Sequence, residues 1–276
     1  MSRCSVWRRR HPPCYGDGMF NTTPHRRPAA GLNLAPVEAV LFDLDGTLID
    51  VDMQLFVPAY LRRLADRLEG YAEPQRTMKT LRAAVTAMLG DTDGSCSLEE
   101  LLCAMLLDEL GIPREGYQSA LAAFCRDDLP ELQPLVRPHP LARELVQACL
   151  DRGWRVVLAT NPIFPRAVID ARLAWSGLDD LPFRPVTSYE TRRHCKPHPG
   201  FFTDLLEELA LPAQACLMVG NDTLQDLSAA RVGMPTCLLT TWCIDRAAPA
   251  FPADWEGTHQ ALLEQFAPRR SPASHD

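Results

Sequence analysis

The chain reads as an α/β protein: a doubly wound parallel sheet with an all-helical unit inserted after its first strand. Three observations predict this. Apolar strand-like runs alternate with amphipathic stretches over residues 37–51 and 138–245, the pattern of a sheet covered by helices on both faces. Residues 52–137 show only three- and four-residue apolar spacing and no β-branched run. Polar residues collect just past the strand ends, as Asp43 and Asp45, Thr160 and Asn161, Asn221 and Asp222. In open parallel sheets, ligand sites form at that edge.

The first strand is expected over 38–43, where the run before Asp43 is apolar enough to be buried on both faces. Four helical stretches follow, FVPAYLRRLADRLEG, QRTMKTLRAAVTAMLG, LEELLCAMLLDELG and GYQSALAAFCRDDL, with Gly70, Gly90 and Gly111 at plausible ends. After Pro138 a helix is expected over 139–152 and a buried strand in WRVVLAT. NPIFPRAVIDARLAWSG reads as a helix with Pro162 near its first turn, where a missing N–H does no harm. FRPVTS is a weaker strand, HPGFFTDLLEELAL a helix, CLMVG a strand, DTLQDLSAARVG a helix and PTCLLTT a last strand. Residues 246–276 form a C-terminal extension with a short helix. Residues 1–36, rich in Arg, Pro and His without periodicity, read as a disordered or mis-started tail.

Net charge is −7, but residues 1–36 hold six Arg against Asp17, leaving −12 for residues 37–276. That balance argues against nucleic acid or an anionic membrane as partner. No apolar run reaches the roughly 20 residues of a membrane span. The ten Cys show no CxxC pair and read as thiols of a reducing cytoplasm. The oligomeric state is left open.

Side chains two apart on a strand share a face, so Asp43 and Asp45 start out aimed alike, with Gly46 permitting a sharp turn. Asp222 and Asp226, four apart at an expected helix start, also share a face. Such a carboxylate cluster calls for a cation. Oxygen ligands point to a hard ion, with Mg²⁺ the first choice beside phosphate. One carboxylate can then attack phosphorus, and a second can move the proton of the leaving group and of water. Lys196, one of only two lysines (the other is Lys79), can neutralise the nucleophile and the transferring group. Thr160 and Asn161 can meet phosphoryl oxygens or cap a helix.

LFDLDGTLID resembles the first motif, DxDGT, of the haloacid dehalogenase superfamily. LATN, CKPHPGFF and VGNDTLQD are similar to the second, third and fourth motifs, in order, over roughly residues 37–245. The resemblance implies a Rossmann-like core with a helical cap. Asp43 would be nucleophile and metal ligand, and Asp45 general acid/base that also offers the metal its backbone carbonyl. Thr160 would bind phosphoryl oxygen, Lys196 would join nucleophile to phosphate, and Asp222 would ligate Mg²⁺. Asn221 and Asp226 would support the metal indirectly or through water. Many members carry an acid directly after the Gly of the fourth motif; this chain has Asn221 there and Asp222 one step later. The string ATNPIFPRAV, with TSYE and CKPHPGFF, resembles a subgroup of cap-bearing bacterial hydrolases without an assigned substrate. The expected activity is Mg²⁺-dependent hydrolysis of a small phosphorylated metabolite. A phosphomutase, a phosphonate hydrolase using Lys79, and a non-catalytic binding protein are the alternatives.

Overall fold

The structure of the protein is a computed structural model that describes residues 32–246 and 251–267. The expected N-terminal tail lies outside the described residues as far as position 31, as do 247–250 and 268–276 of the C-terminal extension. Along the chain, β1 (Ala39–Phe42) turns into β2 (Ile49–Val51), followed by α1 (Met53–Arg67), α2 (Pro74–Gly90), α3 (Leu98–Leu110) and α4 (Arg114–Asp127). A 3-10 stretch, Leu129–Leu135, leads into β3 (Val136–Pro138), α5 (Ala142–Asp151), β4 (Arg155–Leu158), α6 (Arg166–Trp175), α7 (Pro199–Leu209) and β5 (Cys216–Gly220). A second 3-10 stretch, Leu227–Val232, precedes β6 (Thr236–Leu239), β7 (Trp255–Gly257) and α8 (His259–Phe266).

Five strands form one parallel sheet in the order β4-β1-β5-β6-β7. Phe42 is level with Leu158 on one side and Val219 on the other. The chain therefore leaves β1 in opposite directions, and the switch point falls at the carboxyl ends of these three strands. Both sheet faces are buried, as the apolar runs require. Val40, Phe42, Val156 and Val219 pack with α5, α6 and α8, while Leu41, Val157 and Met218 pack against Phe201, Phe202 and Leu205 of α7.

Besides the short β2–β3 pair, which the sequence reading did not include, four departures from it have local causes. The helix expected from Asn161 begins only at Arg166: the chain turns at Pro162, where the Ile163 N–H donates to the Asn161 carbonyl, and Pro165, extended, takes the cap position and disfavours helical backbone at the residue before it. FRPVTS runs beside β4 yet contributes only an isolated bridge, Leu158 to Val186, since Pro182 and Pro185 lack the N–H a ladder needs. The helix expected from Asp222 is replaced by turns and the 3-10 stretch. There the Asp222 carboxylate takes the Leu224 and Gln225 N–H groups, and Asp226 takes those of Asn221 and Asp222, competing with helical bonds. In the C-terminal extension, β7 precedes the expected short helix and adds an edge strand to the sheet.

α1–α4 lie between β2 and β3, which pair antiparallel and so bind together the two points where the chain crosses into the helical insert. The insert also rests on the sheet domain. The Leu98 and Glu99 N–H groups at the start of α3 donate to the Arg192 and Tyr189 carbonyls, which satisfies donors that a helix start otherwise leaves open. Phe56 and Tyr60 of α1 meet the Phe164 ring edge-on at 5.8 and 5.3 Å.

Candidate active site

β1 ends one residue before Asp43, whose N–H donates to Val219 and so keeps it in register with β5. Asp45 follows in a turn closed by the Gly46 N–H to the Ile49 carbonyl. Gly46 has φ +84°, and a Cβ there would stand 2.1 Å from Asn221 Nδ2; backbone conformation and close approach both demand glycine. Gly220, at the end of β5, has the same function of clearance: a Cβ would collide with the Asp226 carboxyl at 2.2 Å.

The sequence-predicted residues converge at this edge. Asp43, Asp45, Thr160, Asn161, Asn221, Asp222 and Asp226 line a cavity of about 90 Å³ together with Gln225, Ile244 and Arg246. Lys196, buried in the loop before α7, places Nζ 2.7 Å from Asp43 Oδ1 and 2.6 Å from Asp226 Oδ1. Burial pulls the Lys196 pKa down, but Asp226 and Asp43 outweigh it and hold the ammonium above its ordinary value. Burial pushes the Asp43 carboxyl up to about 7; Lys196 opposes this, while Asp226 and Asp45 add to it. The Lys196 cation, with two partners, stays charged. Asp43 is the member of the pair that bears the desolvation cost.

Asn161, read from sequence as able to meet phosphoryl oxygens or cap a helix, has partners within the protein as well. Its Oδ1 accepts from the Lys196 N–H at 3.1 Å, and Nδ2 reaches the Lys196 carbonyl and Gln225 Oε1. Asp226 spends both oxygens within the protein, Oδ1 on Lys196 and Oδ2 on the Asn221 and Asp222 N–H groups at 2.9 Å. Asn221 donates to the Trp242 carbonyl.

Besides Gln225 and Ile244 in the cavity wall, two arginines at the site escaped the sequence reading. Arg246 Nε lies 2.6 Å from Asp222 Oδ2, and the buried Arg172 reaches Asp45 Oδ1 at 2.6 Å. The acids that called for a metal therefore each have a protein cation: Lys196 for Asp43 and Asp226, Arg172 for Asp45, Arg246 for Asp222. Arg172 left a faint signal, an Arg in the apolar stripe of Val168, Ile169 and Leu173 on α6; Arg246 left none. The basic side chains of the insert do not line the cavity. Arg63 pairs with Glu131 and Arg126 with Asp127, and no residue of 52–137 is among the cavity walls. A larger cleft of about 800 Å³, between Arg166, Asp180, Arg184 and Glu208, contains none of the predicted site residues.

A phosphoglycolate phosphatase from Rhodospirillum rubrum is 29% identical over 209 residues, 74% of this chain and 79% of that protein. Pyrophosphatase PpaX from Bacillus cereus is 25% identical over 84% of this chain and 90% of its own length. Among solved structures, a HAD phosphatase from Thermococcus onnurineus superposes with a TM-score of 0.52 at 19% identity, covering 84% of this chain and 98% of that one; it supports the fold. Residues 37–233 match the family described as haloacid dehalogenase-like hydrolase. With that match spanning most of the chain and the four motif segments meeting at one sheet edge, the protein belongs to the haloacid dehalogenase-like hydrolases.

Proposed function

We propose that the protein is a phosphomonoesterase that transfers the phosphoryl group of a small metabolite to Asp43 and then to water. The observation that carries this reading is the buried Lys196 bridging Asp43 and Asp226 beside the second acid, Asp45. In the first step an Asp43 oxygen bonds to phosphorus as the ester P–O bond breaks, and Asp45 gives its proton to the departing oxygen. In the second, water attacks the phosphorus of the acyl phosphate and Asp45 takes the water proton, freeing phosphate and the Asp43 carboxylate. Lys196 counters charge on the nucleophile and on the phosphoryl oxygens. Thr160, at the cavity wall, is placed to donate to one of them. Asn161 and Asp226 hold Lys196 from either end.

Asp43, Asp222 and the Asp45 backbone carbonyl are the residues that would hold Mg²⁺. Among the described residues no cluster of three His, Cys, Asp or Glu side chains could hold a metal. Mg²⁺ commonly binds through one or two carboxylates, waters and substrate phosphate, so this all-oxygen set fits it. When bound, the ion offsets negative charge on the phosphoryl oxygens.

A cavity of about 90 Å³ is small beside the roughly 300–1,000 Å³ of sites that enclose a drug-sized ligand. It suits a phosphoryl group, with the leaving group passing the rim at Ile244 and Arg246. Arg246, 39% exposed, favours a leaving group with a second anionic centre. The relatives' names, a phosphoglycolate phosphatase and a pyrophosphatase, agree with such a substrate. The helical insert acts as a cap that shields the site without supplying walls in this arrangement. Lys79 is exposed on α2, a poor setting for the desolvated amine a phosphonate hydrolase would use. The described cysteines are all free, in keeping with a reducing cytoplasm, and no described helix is long and apolar enough to cross a membrane.

The test is a screen of phosphate esters and anhydrides with Mg²⁺, including phosphoglycolate, pyrophosphate and neutral alkyl phosphates. At least one compound is turned over, chelation stops turnover, and Asp43→Asn lowers it about a thousandfold or more. Full activity in Asp43→Asn would sink the mechanism.

A further inference from the structure

Arg172 is the bulkiest of the fully buried side chains among the described residues. Nη1 donates to Asp45 Oδ1, while Nε and Nη2 have no hydrogen-bond partner among the described residues. The Phe164 and Phe56 rings lie 4.6 and 5.4 Å from its Cζ, and their faces offset part of the desolvation. As a packing device this is a poor choice. A buried ion pair is seldom more stabilising than apolar side chains of similar volume, and each unmatched buried N–H adds an uncompensated desolvation cost. A Met or Leu would complete the α6 stripe without those costs. What only the arginine provides is a fixed donor for one oxygen of Asp45, whose side chain is 18% exposed and lines the cavity.

Resting on the reading of Asp45 as the acid/base of a phosphatase, we infer that Arg172 is a positioning residue. It holds Oδ1 so that Oδ2 is the oxygen presented to the leaving group. A carboxylic acid whose carbonyl oxygen accepts from Arg172 carries its proton on Oδ2. That proton passes to the ester oxygen as the P–O bond breaks and the Asp43–phosphorus bond forms. Water later returns a proton to Oδ2 as it attacks the acyl phosphate. Arg172 itself touches neither substrate nor phosphorus. Phe56, on α1, is the one wall of this clamp supplied by the helical insert.

The experiment compares kcat/KM for an alkyl phosphate and for p-nitrophenyl phosphate, whose leaving group departs without a proton. The ratio of the two is independent of the fraction of enzyme folded, so a purely structural role leaves it unchanged. Arg172→Gln is expected to lower kcat/KM about a hundredfold for the alkyl ester and less than about tenfold for the aryl ester. Asp45→Asn should shift the ratio in the same direction, and adding Arg172→Gln to it should shift the ratio no further. Arg172→Met, which fills the α6 stripe without a donor for Asp45, provides the same comparison if the Gln variant does not fold. An unchanged ratio in a protein whose turnover still requires Asp43 overturns the role of Arg172 alone. Turnover that survives Asp43→Asn overturns the phosphatase reading and this inference with it.

Discussion

Asp43→Asn should remove activity and stabilise the protein, and the stabilisation should depend on pH. Burial raises the Asp43 carboxyl from 3.8 in the unfolded chain to about 7 in the fold. Between those values the folded wild type binds more protons than the unfolded chain, so its stability falls as pH rises through that window. At about 1.36 kcal/mol per unit, the full shift is worth about 4 kcal/mol above pH 7. That figure is an upper bound, since Asn replaces one charged partner of Lys196 with a neutral one. Asn does not titrate and escapes the cost. In chelator, at pH 8, Asp43→Asn should unfold later in urea than the wild type by up to about 4 kcal/mol. The gain should shrink as pH falls and vanish near pH 4. A mutant less stable than the wild type at pH 8, or a gain constant from pH 8 to 4, would refute the assignment of the desolvation cost to Asp43.

Asp226→Asn leaves Lys196 with one carboxylate and weakens the hold on the Asn221 and Asp222 backbone. It should cost about 2–4 kcal/mol in urea melts and at least about tenfold in kcat/KM. Gly46→Ala meets both a positive φ and the Asn221 amide; it should destabilise by more than about 1 kcal/mol, and adding Asn221→Ala should recover only part, because the backbone strain persists. His139 stacks on His259 at 3.5 Å, and burial, then the charge of His259, lowers its pKa to about 4. The unfolded chain therefore binds the proton first, and stability present above pH 6.5 is lost as pH falls toward 4. Thermal midpoints of His139→Gln should fall less steeply over that range than those of the wild type.

The polar sheet edge was legible in the sequence because its residues sit at fixed offsets from recognisable strands. An apolar run buried on both faces must end where the chain meets water, so Asp43, Thr160 and Asn221 could be placed at one sheet edge before any coordinates. Helix starts and the weak strand were less legible. Pro165 disfavours helical backbone at the residue before it, Pro185 lacks a ladder N–H, and the carboxylates of Asp222 and Asp226 take backbone donors that a helix would use. Those side-chain bonds compete with helical periodicity without erasing it from the sequence.

What the sequence determined by itself was the alternation of the main strands β1, β4, β5 and β6 with helices, the helical insert and the set of acids around Lys196. Tertiary structure alone decided what pairs with Asp45 and Asp222. Arg172 lies 127 residues from Asp45 and Arg246 lies 24 from Asp222, and no periodic pattern relates such pairs. Only the packing of α6 beneath Phe56 and Phe164, and the return of the chain past Ile244, brings each guanidinium to its carboxylate. Charge pairing acts over a few ångströms in space and is blind to separation along the chain. The counterions of Asp45 and Asp222 could therefore be read only from the folded protein.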